Sequence, residues 1–132
     1  MSDKTYKVVT NNPLIREALE SSIAVSYYAE DSHRDLLERV RDLVHSGYRI
    51  LTHPLAGSVK PWETPYRSVM ITTDREDKTD MLSLEVIEQA LFAIEKSETR
   101  PVLDEKVLKD FQLVDLSLIQ SALPSAEAQG RH

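Results

Sequence analysis

The chain has 132 residues, 41% of them apolar, which suits one compact domain whose core needs no disulfide or metal staple. Sixteen Lys and Arg against 22 Asp and Glu leave a formal charge of −6, which argues against a broad nucleic-acid footprint. The absence of cysteine excludes thiol nucleophiles, disulfides, Cys-ligated zinc and iron–sulfur clusters within this chain. The segment Met1 to Lys7 is polar, and no apolar run reaches the roughly 18 residues of a membrane span. The expectation is a soluble, cytoplasmic protein with neither nucleic acid nor membrane as partner.

In chain order, Tyr6 to Thr10 is β-branched and aromatic and reads as a strand. It runs into Asn11-Asn12-Pro13, an Asn cap with proline at the first helical position, which predicts a helix from about Pro13 to Ser21. Ile23 to Tyr28 is a second strand. Asp31-Ser32 then offers a cap before Leu36, Leu37, Val40, Leu43 and Val44, which recur at helical spacing, and Gly47 supplies a left-handed stop. Tyr48 to Thr52 reads as a third strand and Arg67 to Thr73 as a fourth, with Asp74 to Asp80 as a solvated turn. Leu84, Ile87, Leu91 and Ile94 mark one face of a helix beginning near Ser83 and ending before Lys96. A last helical region starts near Asp104, with a kink expected near Asp115.

Strand, helix, strand, helix, strand at this spacing predicts crossovers in a parallel sheet. The fold class expected is a small three-layer α/β domain over residues 1–123. Its mostly parallel sheet has about four strands with helices on both faces, Rossmann-like or flavodoxin-like. The fourth strand lacks a predicted crossover helix and is read as antiparallel or an edge. Residues 124–132 read as a disordered tail.

Only three glycines occur, so the dinucleotide fingerprint and the phosphate loop are both absent, and no cofactor is called for. Ligands in such a sheet lie outside the carboxyl ends of the strands. There the first strand delivers Thr10, Asn11 and Asn12. The third delivers the stretch from Thr52 to Tyr66, a long loop holding three of the six prolines, Pro54, Pro61 and Pro65. Gly57 permits close backbone approach, Ser58 and Thr64 offer hydroxyls, Lys60 offers an ammonium to a carboxylate or phosphate, and Thr52, Glu63 and Tyr66 complete a polar set. His53 is the candidate acid or base. Each has a plainer reading beside it: His53 as a local cap, Lys60 and Glu63 as an exposed ion pair, Asn11 and Asn12 as helix caps, Trp62 as a seal over the loop or a partner anchor. His33, His45 and His132 lack metal-ligand spacing.

The runs Thr10-Asn11-Asn12-Pro13, Leu51-Thr52-His53-Pro54-Leu55, Gly57-Ser58-Val59-Lys60-Pro61 and Glu63-Thr64-Pro65-Tyr66 resemble the GrdX family. So do Asp110-Phe111-Gln112-Leu113 and Asp115-Leu116-Ser117-Leu118-Ile119, and the resemblance extends over about Tyr6 to Leu123. Ala56 and Trp62 depart from the pattern, where a serine and a small polar residue are familiar. Members of that family are encoded beside components of glycine, betaine and sarcosine reductases in anaerobic amino-acid-fermenting bacteria. The resemblance thus implies a pathway context, with glycine reductase components as candidate partners, and no catalytic assignment.

Three functions are weighed. The first is a non-redox accessory binding a small anionic metabolite or a partner through the 52–67 loop. The second is an enzyme acting on a carboxylate or phosphorylated metabolite, with His53 as acid–base and Lys60 as anion clamp. The third is a docking module centred on Trp62.

Overall fold

The computed structural model describes residues 5–55, 64–95 and 104–129. Strands β1 (Tyr6–Thr10), β2 (Ala24–Tyr27) and β3 (Ser68–Thr72) alternate with helices α1 (Pro13–Leu19), α2 (His33–His45), α3 (Met81–Glu95) and α4 (Glu105–Gln129) in an α/β arrangement. The local start and stop signals act as their chemistry dictates. Asn12 Oδ1 accepts from Leu14 N–H at the head of α1, and Ser32 and Asp35 form a reciprocal capping box on α2. Gly47 closes α2 with φ of +111°, a conformation that L side chains rarely adopt.

The sheet has three strands in the order β2-β1-β3, with β1 parallel to β2 and antiparallel to β3. It is mixed, and this corrects the expectation of about four mostly parallel strands in a Rossmann-like or flavodoxin-like sheet. The expected fourth strand is β3. It occupies the sheet beside β1, buried along all five residues, because Val69-Met70-Ile71 is apolar toward both faces.

The expected third strand, 48–52, is reduced to a single antiparallel bridge of Ile50 to Ile71 on the far side of β3. Leu51 N–H donates to Met70 O at 2.8 Å and Thr72 N–H to Arg49 O at 3.0 Å. The neighbouring positions are taken by side chains: Met70 N–H donates to Thr52 Oγ1, Arg49 N–H to Thr72 Oγ1 and Ile50 N–H to Ser83 Oγ. Hydroxyl oxygens thus replace carbonyls that a regular ladder would use.

Helices cover both faces, as expected. Alternation along β1 and β3 sends Val9, Val69 and Ile71 into a core with Leu36, Leu37, Val40 and Val44 of α2 and Ile87, Ala90 and Ile94 of α3. It sends Tyr6, Val8 and Met70 to the opposite face, against Ile15 and Leu19 of α1 and Ile119 of α4. Helix α4 continues through Asp115 without a break. Pro124 also lies inside it, so the expected tail opens as helix to Gln129: the ring's fixed φ is helical, at the cost of one N–H bond. Among the described residues no helix is long and apolar enough to cross a membrane.

Candidate functional site

Thr10 ends β1 and lies directly opposite Ser68, the first residue of β3. Both follow the period-two rule onto the face that α4 covers, so a polar pair terminates the apolar stripe of Tyr6, Val8 and Met70. The two hydroxyls are 2.6 Å apart. Ser68 Oγ donates to Asp115 Oδ2 on α4 at 2.5 Å, and the same oxygen accepts Asn12 Nδ2 at 3.0 Å. Asn12 gives its second amide hydrogen to Gln112 O, also at 3.0 Å, so this one side chain caps α1 and ties it to α4. Asn11 is equally occupied. Its Nδ2 donates to Asp31 O and Pro65 O, and its Oδ1 accepts Arg67 N–H.

The charges here are unusual because Arg67 is buried and Asp115 half-buried. Burial pushes the Asp115 carboxyl above the usual carboxylate range, against the opposing pull of the Ser68 and Asn12 hydrogen bonds and of Arg67. Burial draws the Arg67 guanidinium below the ordinary arginine range while Asp115 opposes that shift. His33, at the start of α2, donates through Nδ1 to Thr64 O at 3.1 Å. Burial lowers its pKa, the Thr64 bond raises it, and Arg67 lowers it further.

A cavity of about 190 Å³ opens over this cluster. Leu51, Thr52, His53 and Pro54 form one wall, Arg67 and Ser68 the floor, and Asp115, Leu118, Ile119 and Ala122 of α4 the other wall. On the far side of Arg67 and Asp115 a space of about 10 Å³ reaches Thr64, Tyr66 and Phe111, where Gln112 Nε2 donates to Tyr66 OH at 2.8 Å. Among the described residues no group of three or more His, Asp and Glu is placed to hold a metal ion.

Of the residues expected at the site, Thr52 and His53 line the cavity. His53 is exposed and its Nδ1 accepts Leu55 N–H at 3.1 Å, a local cap of the kind weighed for it. Thr10 lies one hydroxyl beneath the cavity floor, and Asn11 and Asn12 brace its walls through the bonds above. Thr64 is buried, with Oγ1 accepting Tyr66 N–H. Gly57, Ser58, Lys60, Trp62 and Glu63 lie outside the described residues. The charged members, Arg67 and Asp115, and the hydroxyl of Ser68 were missed as site residues from sequence. A signal existed for Asp115: it is a lone acid within the α4 stripe of Phe111, Leu118, Ile119 and Ala122.

Fold and site together define a small three-layer α/β protein with a half-buried acid and a buried arginine lining one cavity. The model of the GrdX-like protein family matches residues 7–124, and the chain belongs to that family. No curated protein and no solved structure matches it.

Proposed function

We propose that this protein is a non-redox accessory of the glycine reductase system, acting in the cytoplasm, that binds a small carboxylate-bearing metabolite in the cavity above Arg67 and Ser68. Membership of the GrdX-like family supports the context. The absence of cysteine supports the non-redox part, since this chain has no sulfur nucleophile to carry electrons. The observation that carries the binding reading is the cavity itself, where apolar side chains share the lining with convergent polar ones, among them Arg67, whose guanidinium chemistry suits a carboxylate. In this reading Arg67, at the described end of the 52–67 loop, anchors the anion, with Lys60 as a second cation to be tested.

A thermal-shift panel of small carboxylates, acyl phosphates and nucleotides tests this reading. A carboxylate at a hundred times its dissociation constant adds about 2.7 kcal/mol and should raise the midpoint by several degrees, whereas nucleotides exceed the cavity and should not. Ala122→Phe, which fills the cavity from α4, should abolish the shift while leaving the unliganded midpoint within a few degrees. A shift that survives Ala122→Phe removes the ligand from this cavity.

A catalytic reading rests on His53, which lines the same cavity. With Nδ1 accepting Leu55 N–H, the neutral ring carries its proton on Nε2. Loss of turnover of a bound carboxylate in His53→Ala, with binding retained, supports it; unchanged turnover excludes His53.

A further inference from the structure

We propose that the cavity takes a small zwitterion with a short aliphatic portion, an α-amino acid of about valine size. This rests on the reading of the cavity as a small-molecule site, and it adds the ligand's charge pattern and shape. Arg67 comes from the residue before β3 and Asp115 from α4, so two elements bring one cation and one acid to the same enclosure. A lone anion set between them adds a second negative charge beside the half-buried Asp115 carboxylate, which is costly, while a zwitterion adds no net charge. Its carboxylate meets the guanidinium and its ammonium meets Asp115. Oδ2 of Asp115 already accepts from Ser68 Oγ and Asn12 Nδ2, which leaves Oδ1 for the ammonium.

Size and lining fix the rest. An apolar cavity of about 150 Å³ accommodates a benzene-sized molecule, so 190 Å³ has room for roughly seven or eight non-hydrogen atoms. Beyond Arg67, Ser68 and Asp115 the walls offer Leu51, Pro54, Leu118, Ile119 and Ala122, with Thr52 and His53 on the Leu51 side. A branched aliphatic group fills that space, and a head group alone leaves it empty.

Titration calorimetry on the full chain with L-valine, isovalerate, isobutylamine and glycine separates the components. Isovalerate lacks the ammonium, isobutylamine the carboxylate and glycine the aliphatic group. Valine should bind at least about tenfold more tightly than any of the three. Asp115→Asn keeps the shape of the side chain and its capacity to bond Ser68 and Asn12, and it should abolish the preference for valine over isovalerate, weakening valine and strengthening isovalerate. Isovalerate binding as tightly as valine overturns the zwitterion and leaves the carboxylate reading standing. Glycine binding as tightly as valine overturns the aliphatic portion. No binding of any of the four overturns this proposal, and if the carboxylate panel also fails to shift the midpoint, the underlying reading falls with it.

Discussion

Asp115, half-buried, and His33, buried, are titratable groups with opposite effects on stability as pH changes. The folded pKa of Asp115 is raised, so the folded chain holds this proton where the unfolded chain has lost it. Its contribution is therefore complete below the ordinary aspartate range and is lost as pH rises through the raised value. His33 has a lowered folded pKa, so its contribution is complete above the ordinary histidine value and is lost as pH falls through the folded one. Melting curves from pH 4 to 8 test both signs. Relative to the parent, Asp115→Asn should gain stability as pH rises, and His33→Gln should gain as pH falls. A parallel pH dependence of parent and Asp115→Asn would show that the carboxyl titrates normally in the fold.

At the scale of elements, the junctions are set by single residues. An added Cβ at Gly47 would lie 2.2 Å from Glu76 O, and the backbone there has φ of +111°. Gly47→Ala should cost about 2 kcal/mol or more in urea unfolding, the left-handed penalty plus the displacement of 76 from its bond to Gly47 O. Asn12→Ala removes the α1 cap together with both bonds to α4 and should cost about 2–3 kcal/mol; Asn12→Ser keeps a capping hydroxyl and should recover about 1 kcal/mol of it. A loss under 0.5 kcal/mol in Asn12→Ala would mean that α4 is held without this bridge.

These junctions were legible in sequence because capping and left-handed stops are local chemistry: Asn12-Pro13, Ser32 and Gly47 announce themselves within a few residues. The sheet order was not, since the insertion of β3 between β1 and 48–52 depends on which apolar run is buried on both faces, and several runs looked alike. Nor was the reduction of 48–52 to a bridge, which follows from Thr52 and Thr72 hydroxyls displacing ladder bonds. The edge of the sheet where Thr10, Asn11, Asn12, Thr52 and His53 gather was legible from strand polarity. Its charged residues were not: Arg67 stood at the margin of an expected strand, and Asp115 on a helix passes for a solvated acid until that helix is laid over Ser68.

For the molecule as a whole, the formal charge of −6 bears on what enters the cavity. Long-range repulsion acts on a free anion and not on a neutral zwitterion, and salt screens it over about 10 Å at 0.1 M. Valine affinity should therefore change less than about twofold between 25 and 300 mM salt. A steep salt dependence would assign the recognition to other charges of the chain, Lys60 to be tested among them, and away from Arg67 and Asp115. The three layers fit this division of labour: the α2 and α3 face packs a continuous apolar cluster, while the opposite face ends in the Thr10, Ser68 and Asp115 chain beneath the cavity.

The most direct measurement is a titration of the uniformly ¹⁵N-labelled full chain with L-valine, followed by amide chemical shifts. Binding in the cavity predicts saturable shifts at Ser68, Asp115, Leu118 and Ile119. Saturable shifts confined to the groove of Arg41, Glu88 and Phe92 between α2 and α3, or no saturable shift at all, would contradict it.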